Sequence, residues 1–229
     1  MAYLPITLGI VRSSGNAQIA EKAAAELQKL RPKILERDKH TCRFCGFQSQ
    51  KYQELAYING NLDDVREDNL ATACIYCHQC FDLEKTSVMN SGVMIWLPEI
   101  GQAELNHMAR ALYVARISQG TMADAARAAI DALMARREDV RARLATDDPF
   151  FLATVMRDFL GPKHYAARKE KLEGVRLLPL DRRNISEGEL KFNQFPQILA
   201  YWRSKDGPFA LYPPAQWKTI YAKMKTQAA

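Results

Sequence analysis

The sequence predicts an α+β protein, mainly helical, in which a small metal-stapled hairpin-and-helix unit precedes a larger helical region. Three observations carry this expectation. Four of the five cysteines stand as two Cys-x-x-Cys pairs, Cys42 with Cys45 and Cys74 with Cys77, separated by residues 46–73. Apolar residues recur at helical period through much of the second half of the chain. The composition, 48% hydrophobic and 25% charged over 229 residues, is that of an ordinary globular protein, with no run near the roughly 18 apolar residues of a membrane helix.

The paired cysteines point to zinc. Tetrahedral Zn²⁺ takes four thiolates at about 2.3 Å, and two intervening residues let both sulfurs of a pair turn toward one ion. Cysteines packed merely as small hydrophobes have no reason to fall into two equally spaced pairs. Gly46, next to Cys45, supplies the permissive backbone of a tight knuckle. A unit spanning residues 37–85, with so much polar loop, is marginal without its metal, so one structural zinc ion is expected on Cys42, Cys45, Cys74 and Cys77. Thiolates reserved for metal belong in a reducing compartment, and the stretch Met1 to Ser14 has neither a basic leader nor a small-residue cleavage site; the expected location is cytoplasmic.

Taken in order, Tyr3 to Val11 reads as an extended run ending at Ser13-Ser14-Gly15. Asn16 caps a helix to about Leu30, and Pro32 restarts the chain in a second helix, Lys33 to Asp38. Between the knuckles, Tyr52 to Ile58 is a strand, Asn59-Gly60-Asn61 a turn, and Asp68-Asn69 lead into the second knuckle. Cys77 to Lys85 is a helix. Knuckle, hairpin and helix at the second pair together make a treble clef.

Ser91-Gly92 break the chain before a strand, Val93 to Leu97, so the expected division is 1–92 and 93–229. Helices follow over Gln102 to Ser118, with Leu105, Met108, Leu112 and Ala115 on one face, and over Met122 to Leu144, with Ala126, Ile130, Leu133, Val140 and Leu144. Asp148-Pro149 start a third, carrying Leu152, Val155, Met156 and Phe159, and a basic fourth spans Lys163 to Leu172. Ser186 and Glu189 read as a capping box before a helix that Pro196 interrupts or kinks. Asp206-Gly207-Pro208 is a turn, Pro213-Pro214 stiff and extended, and Gln216 to Thr226 a last helix.

Net charge is +6 and the pI near 9.1, which raises the question of nucleic acid. Residues 1–92 hold as many acidic as basic residues, so the whole excess lies in 93–229 and the zinc unit is not the basic part. The cations of the later helices, from Arg127, Arg136, Arg137, Arg141 and Arg143 to Arg168, Lys169 and Lys171, are the candidates for a phosphate-binding face; such residues on amphipathic helices more often form a solvated surface.

Arg37-Asp38-Lys39-His40-Thr41-Cys42, Asn69 in Glu-Asp-Asn-Leu-Ala-Thr-Ala-Cys, and His78 directly after Cys77 resemble the HNH endonuclease pattern over residues 37–85. That resemblance implies a structural role for Asn69 and, in an active nuclease, a catalytic-metal ligand in His78. The base is missing: where the pattern has an acidic residue and a His, this chain has Ala56 and Tyr57. Tyrosine, with an ordinary pKa near 10, keeps its proton at neutral pH and is a poor base for water. Asp63 and Asp64 are read as solvated loop carboxylates, His78 as a hydrogen-bonding buttress of the knuckle, and Cys80 as a buried thiol.

A second, longer resemblance follows. Cys74-Ile75-Tyr76-Cys77-His78-Gln79-Cys80-Phe81 and then Leu97-Pro98-Glu99-Ile100-Gly101-Gln102-Ala103-Glu104-Leu105-Asn106 resemble the IcmJ/DotN family of type IVB (Dot/Icm) secretion systems, from about Arg31 to Arg203. The resemblance implies a cytoplasmic zinc protein with an HNH-like core, an assembly subunit docking on the C-terminal tail of a coupling ATPase; with the base missing, a non-catalytic one is expected. Trp96, Trp202, Tyr201, Tyr212 and Trp217 are the aromatic candidates for interface anchors, each weighed against plain core packing. The alternatives are a metal-dependent HNH nuclease using His78 and a nucleic-acid-binding adaptor.

Overall fold

The computed structural model describes residues 3–227; residues 1–2 and 228–229, the outer ends of the two expected segments, lie outside it. Residues 3–11 form no regular strand. Their backbone bonds go singly to different elements, Leu4 N to Arg43 O at 2.8 Å and Gly9 N to Cys80 O at 2.9 Å, so no one neighbour supplies a ladder. Leu8 and Ile10 are nonetheless buried, which holds the run in place.

Helix α1 (Ala17–Arg37) starts where expected, with the Asn16 side chain accepting from the backbone N–H groups of Gln18 and Ile19. It does not stop at Leu30. Pro32 sits inside one continuous helix, where its missing N–H leaves one carbonyl unpaired. Burial of Ile34 against Leu55 and Leu70 outweighs that cost.

Strands β1 (Gln53–Tyr57) and β2 (Leu70–Cys74) pair antiparallel, Gln53 opposite Cys74 and Tyr57 opposite Leu70. Helix α2 (Ile75–Phe81) follows Cys74 at once. The single helix expected from Cys77 to Lys85 is instead two, because the Asp82 carboxylate accepts from Lys85 N at 3.0 Å and caps α3 (Leu83–Val88).

Strand β3 (Gly92–Trp96) runs into helix α4 (Gln102–Arg116). The inner face of α4 is rotated from the expected one: Leu105, Asn106, Ala109, Arg110, Tyr113 and Val114 are buried, whereas Met108 is 40% exposed. The helix expected over Met122–Leu144 is broken at Arg136 into α5 (Thr121–Ala135) and α6 (Arg137–Leu144). There the Arg136 carbonyl accepts from Trp96 N at 3.2 Å and its guanidinium pairs with Glu99 at 2.7 Å, so contacts to β3 and its loop replace helical continuity.

Helix α7 (Pro149–Asp158) is capped by Asp148 as expected, but Val155 and Phe159 point outward. The basic stretch forms two short helices, α8 (Pro162–Ala166) and α9 (Arg168–Lys171). Strand β4 (Val175–Pro179), unforeseen as a strand, pairs antiparallel with β3. The expected capping box at Ser186 and Glu189 is a hairpin, β5 (Asn184–Glu187) and β6 (Leu190–Asn193), turning at Gly188 with φ +61. Helix α10 (Phe195–Arg203) carries Pro196 in its first turn, where no intrahelical N–H is needed; the proline starts the helix rather than kinking it. Pro213 is extended, but Pro214 opens a short 3₁₀ turn before α11 (Trp217–Gln227).

The largest core cluster joins the cysteine unit to β3, α4, β4 and α10. Trp202 of α10 is its hub, 1% exposed, with near-perpendicular ring contacts to Phe47, Tyr76 and Phe195 at 5.8, 5.6 and 6.3 Å.

A candidate metal centre sealed by helix α4

Local geometry builds the centre from two turns. In the first, Cys42 N donates to Phe47 O and Gly46 N to Cys42 O, both at 2.9 Å, and Gly46 takes φ +77. An added Cβ there would run into the Tyr3 ring, so glycine is required twice over. In the second turn, Cys74 ends β2 and stands at the N-cap position of α2, and Cys77 lies in the first turn of that helix.

The ligand atoms of Cys42, Cys45, Cys74 and Cys77 all lie within 4.8 Å of one another, and all four residues are buried. The Cys45 and Cys74 sulfurs are 3.7 Å apart. Tetrahedral thiolates at about 2.3 Å from a common ion stand about 3.8 Å apart, so this set fits a metal ion and is compatible with zinc. Cys80, completely buried in a neighbouring cluster, is not part of the group; its Sγ donates to Tyr76 O at 3.4 Å and burial pushes its thiol pKa up.

The polar groups around the sulfurs come from α4, not from His78. Asn106, wholly buried, donates from Nδ2 to Cys77 Sγ at 3.3 Å. Arg110, 1% exposed, donates to Cys74 Sγ at 3.2 Å. His107 Nε2 lies 2.8 Å from Cys45 O and its Nδ1 3.2 Å from Arg110 Nη1, so the arginine, which can only donate, fixes the ring as a donor to the carbonyl. Gln102 donates to Asn106 Oδ1 at 3.0 Å and to Leu177 O at 2.8 Å, and accepts from Leu177 N at 2.9 Å, which fastens the layer to β4. Burial pushes the Cys74 thiol up, but its sulfur neighbours and Arg110 more than reverse this, so the thiolate is favoured there. Gln102 and Asn106 fall in the stretch that carries the family resemblance; Arg110 had no sequence signal, since it lies across the helix from the expected face of Leu105, Met108, Leu112 and Ala115.

The HNH-like positions are arranged differently from a metal-binding site. Asn69, buried, accepts from Asn59 N at 3.0 Å and donates to Asn59 Oδ1 and Asp64 O at 3.0 and 2.8 Å, pinning the loop as a structural Asn does. Tyr57 ends β1, and burial, with Asp63 nearby, pushes its pKa above 10. His78 is half-buried on α2; burial holds its pKa down, Glu54 opposes this, and Lys85 and Arg183 add to it. Arg183, buried, pairs with Glu54 at 3.1 Å, so a fixed guanidinium occupies the neighbourhood of that histidine. Among the described residues, no group of three potential ligands includes His78, Asp63 or Asp64. Asp63 accepts from Ser14 N at 2.6 Å, and Asp64 is held well below the usual carboxylate range by its hydrogen bonds to Arg66.

The arginines of the later helices are mostly engaged internally. Arg127 pairs with Asp124, Arg137 and Arg141 with Asp147, Arg143 stacks on Trp96 at 4.1 Å, and Arg168 donates to Leu8 O at 3.0 Å. Of the aromatic candidates, Trp202 is core, Trp96 and Tyr201 are partly buried, and Tyr212 is 60% exposed. Trp217 lines a cleft of about 660 Å³ with Phe47, His107, Arg110 and Phe209. No helix among the described residues is long and apolar enough to cross a membrane.

No protein-family model matches the chain. Over 178 residues it is 32% identical to the type 4 apparatus protein DotN of Legionella pneumophila subsp. pneumophila, an alignment that takes in 75% of this chain and 83% of that relative.

Proposed function

The chain belongs to the IcmJ/DotN family, and from that premise we propose that it is a component of a type IVB secretion apparatus: a non-catalytic adaptor, stapled by one zinc ion on Cys42, Cys45, Cys74 and Cys77, that docks on the C-terminal tail of the coupling ATPase. It works in the cytoplasm, reaching the inner-membrane face through that partner. The observation that carries this reading is the closed chemistry of the zinc unit. All four cysteines are buried and close together, and four thiolates would complete a tetrahedral zinc site without the open position that a catalytic zinc keeps. The position of a general base holds Tyr57, whose proton stays in place at neutral pH.

The test is capture of the C-terminal tail of the coupling ATPase from the same genome by the purified, zinc-loaded protein, with Mg²⁺- and Mn²⁺-dependent plasmid cleavage measured alongside. Stoichiometric binding at micromolar concentration without cleavage is expected. Cleavage that disappears in His78→Ala would overturn the non-catalytic part, and failure to capture the tail would overturn the docking part.

A further inference from the structure

A guanidinium cannot shed its charge, so a buried arginine needs a counter-ion. Arg110 is 1% exposed and forms no ion pair with a carboxylate among the described residues. Its Nη2 reaches Cys74 Sγ at 3.2 Å, its Nη1 reaches a histidine, and its Nε has no partner. The guanidinium plane is held by the Phe47 ring at 3.7 Å, with Tyr76 and Trp202 beyond. Four protonated thiols would leave this cation unbalanced in the core. Four thiolates around a divalent ion form a dianion, equally buried and equally in need of compensation. Each group answers the other's cost. Asn106 extends the pairing by donating to Cys77 Sγ at 3.3 Å from one helical turn before Arg110.

We propose that Arg110, seconded by Asn106, is the charge-compensating and positioning group of the cysteine centre, so that retention of the metal and docking of α4 on the zinc unit are one event. The proposal rests on the reading that the cysteines hold a metal. It gives the inner face of α4 a task that packing alone does not explain: Gln102, Asn106, His107 and Arg110 turn the helix into a polar lid whose hydrogen bonds end on two sulfurs, a knuckle carbonyl and β4.

The experiment uses the full chain. Metal content of the wild-type protein is measured first, then the rate of zinc release to a chromophoric chelator for wild type, Arg110→Gln, Asn106→Ser and Tyr113→Phe. Tyr113→Phe removes a 2.8 Å hydrogen bond to Pro179 O from the same face of α4 without touching a sulfur. Arg110→Gln is expected to release zinc about 10–100-fold faster, the usual scale for groups that hold metal ligands in place. Asn106→Ser should do so less strongly, and Tyr113→Phe should stay near wild type. In the Co²⁺-loaded protein the sulfur-to-metal charge-transfer band should move to lower energy in Arg110→Gln, because the positive charge that stabilises the sulfur lone pairs is gone. A purely structural arginine would leave that band in place.

A wild-type protein that purifies and reconstitutes without metal would sink the metal reading itself. A metal-loaded wild type whose Arg110→Gln variant keeps its release rate and its band would overturn the role of Arg110 while leaving the centre intact. Equally fast release from Tyr113→Phe with an unmoved band in Arg110→Gln would reduce the residue to packing. If Arg110→Gln does not fold, Asn106→Ser decides in the same two readouts.

Discussion

Around the cysteine centre, side chains from the first knuckle, α2, α4 and α10 turn inward until even an arginine and an asparagine are buried, whereas Phe151 and Val155 of α7 and Phe159 at its C-cap face solvent at 59, 45 and 76% exposure. The two regions orient their apolar side chains in opposite ways. Phe151, Val155 and Phe159 recur every four residues, so they form one stripe along the helix, and with Leu144 and Leu152 they line a cleft of about 560 Å³. The buried region is where the fold's stability resides. Apolar area already exposed on α7 contributes little to folding, and contiguous exposed patches of this kind mark surfaces available to partners. Holding the fold together and offering apolar surface thus fall on separate elements.

The contrast is broken most severely at the metal. Stripping it with a chelator under reducing conditions should unfold the unit of residues 37–85, since the binding energy of a structural zinc, about 10–16 kcal/mol in isolated fingers, is folding energy there. The expected result is a fall of more than about 10 °C in Tm, restored by Zn²⁺; an unchanged melting curve would show that the core stands without the ion.

Next in size is Trp202→Ala, which empties the aromatic hub between the knuckle and α10. It should cost about 3–5 kcal/mol in urea unfolding. A loss below about 1 kcal/mol would mean that α10 is not part of the cooperative core.

Asp38 sharpens the comparison through pH. Its carboxylate bonds Arg37 at 2.9 Å and the backbone N–H of Thr72 at 2.9 Å, tying α1 to β2. Burial alone would raise its pKa, but the Arg37 and Thr72 hydrogen bonds more than offset this, so the folded value lies below the ordinary 3.8. A depressed carboxylate pKa stabilises the fold above the unfolded value and loses that contribution as pH falls through the folded one. Asp38→Asn should therefore cost about 1.5–3 kcal/mol at pH 7 and progressively less in parallel unfolding curves toward pH 3. A penalty independent of pH would remove the charge from the account.

The smallest effect is expected on α7. Phe159→Ser should change stability by no more than about 0.5 kcal/mol, as for exposed positions generally, while lowering any tendency of the protein to bind hydrophobic dye. A loss as large as that of Trp202→Ala would show that the stripe belongs to the core after all.

The parts of this molecule that were legible before folding are those whose cause is local. Metal-ligand spacing is a short-range requirement, so the four cysteines could be picked out and are found together; the glycine of the knuckle, the Asn16 and Asp148 caps and most helices are likewise written within a turn or two. The misreadings share one cause. Ser186 and Glu189 satisfy a helix cap locally, yet the pairing of Ile185 with Phe192 across Gly188 makes a hairpin. Arg136 has no local reason to end a helix until β3 and Glu99 take its carbonyl and its charge. Pro32, a local breaker, is overridden by the burial of Ile34.

What the sequence by itself determined is the four-cysteine cluster, the helical character of the second half and the tyrosine, Tyr57, at the end of β1, because each depends on residue type at fixed short spacing. The tertiary structure alone decided that Gln102, Asn106, His107 and Arg110 close over the sulfurs, that β4 returns to β3, and that Arg183 settles beside Glu54. Those contacts join groups far apart along the chain, and a hydrogen bond from α4 to a cysteine leaves no periodicity to read; only burial, which withdraws water from both partners at once, makes the pairing obligatory.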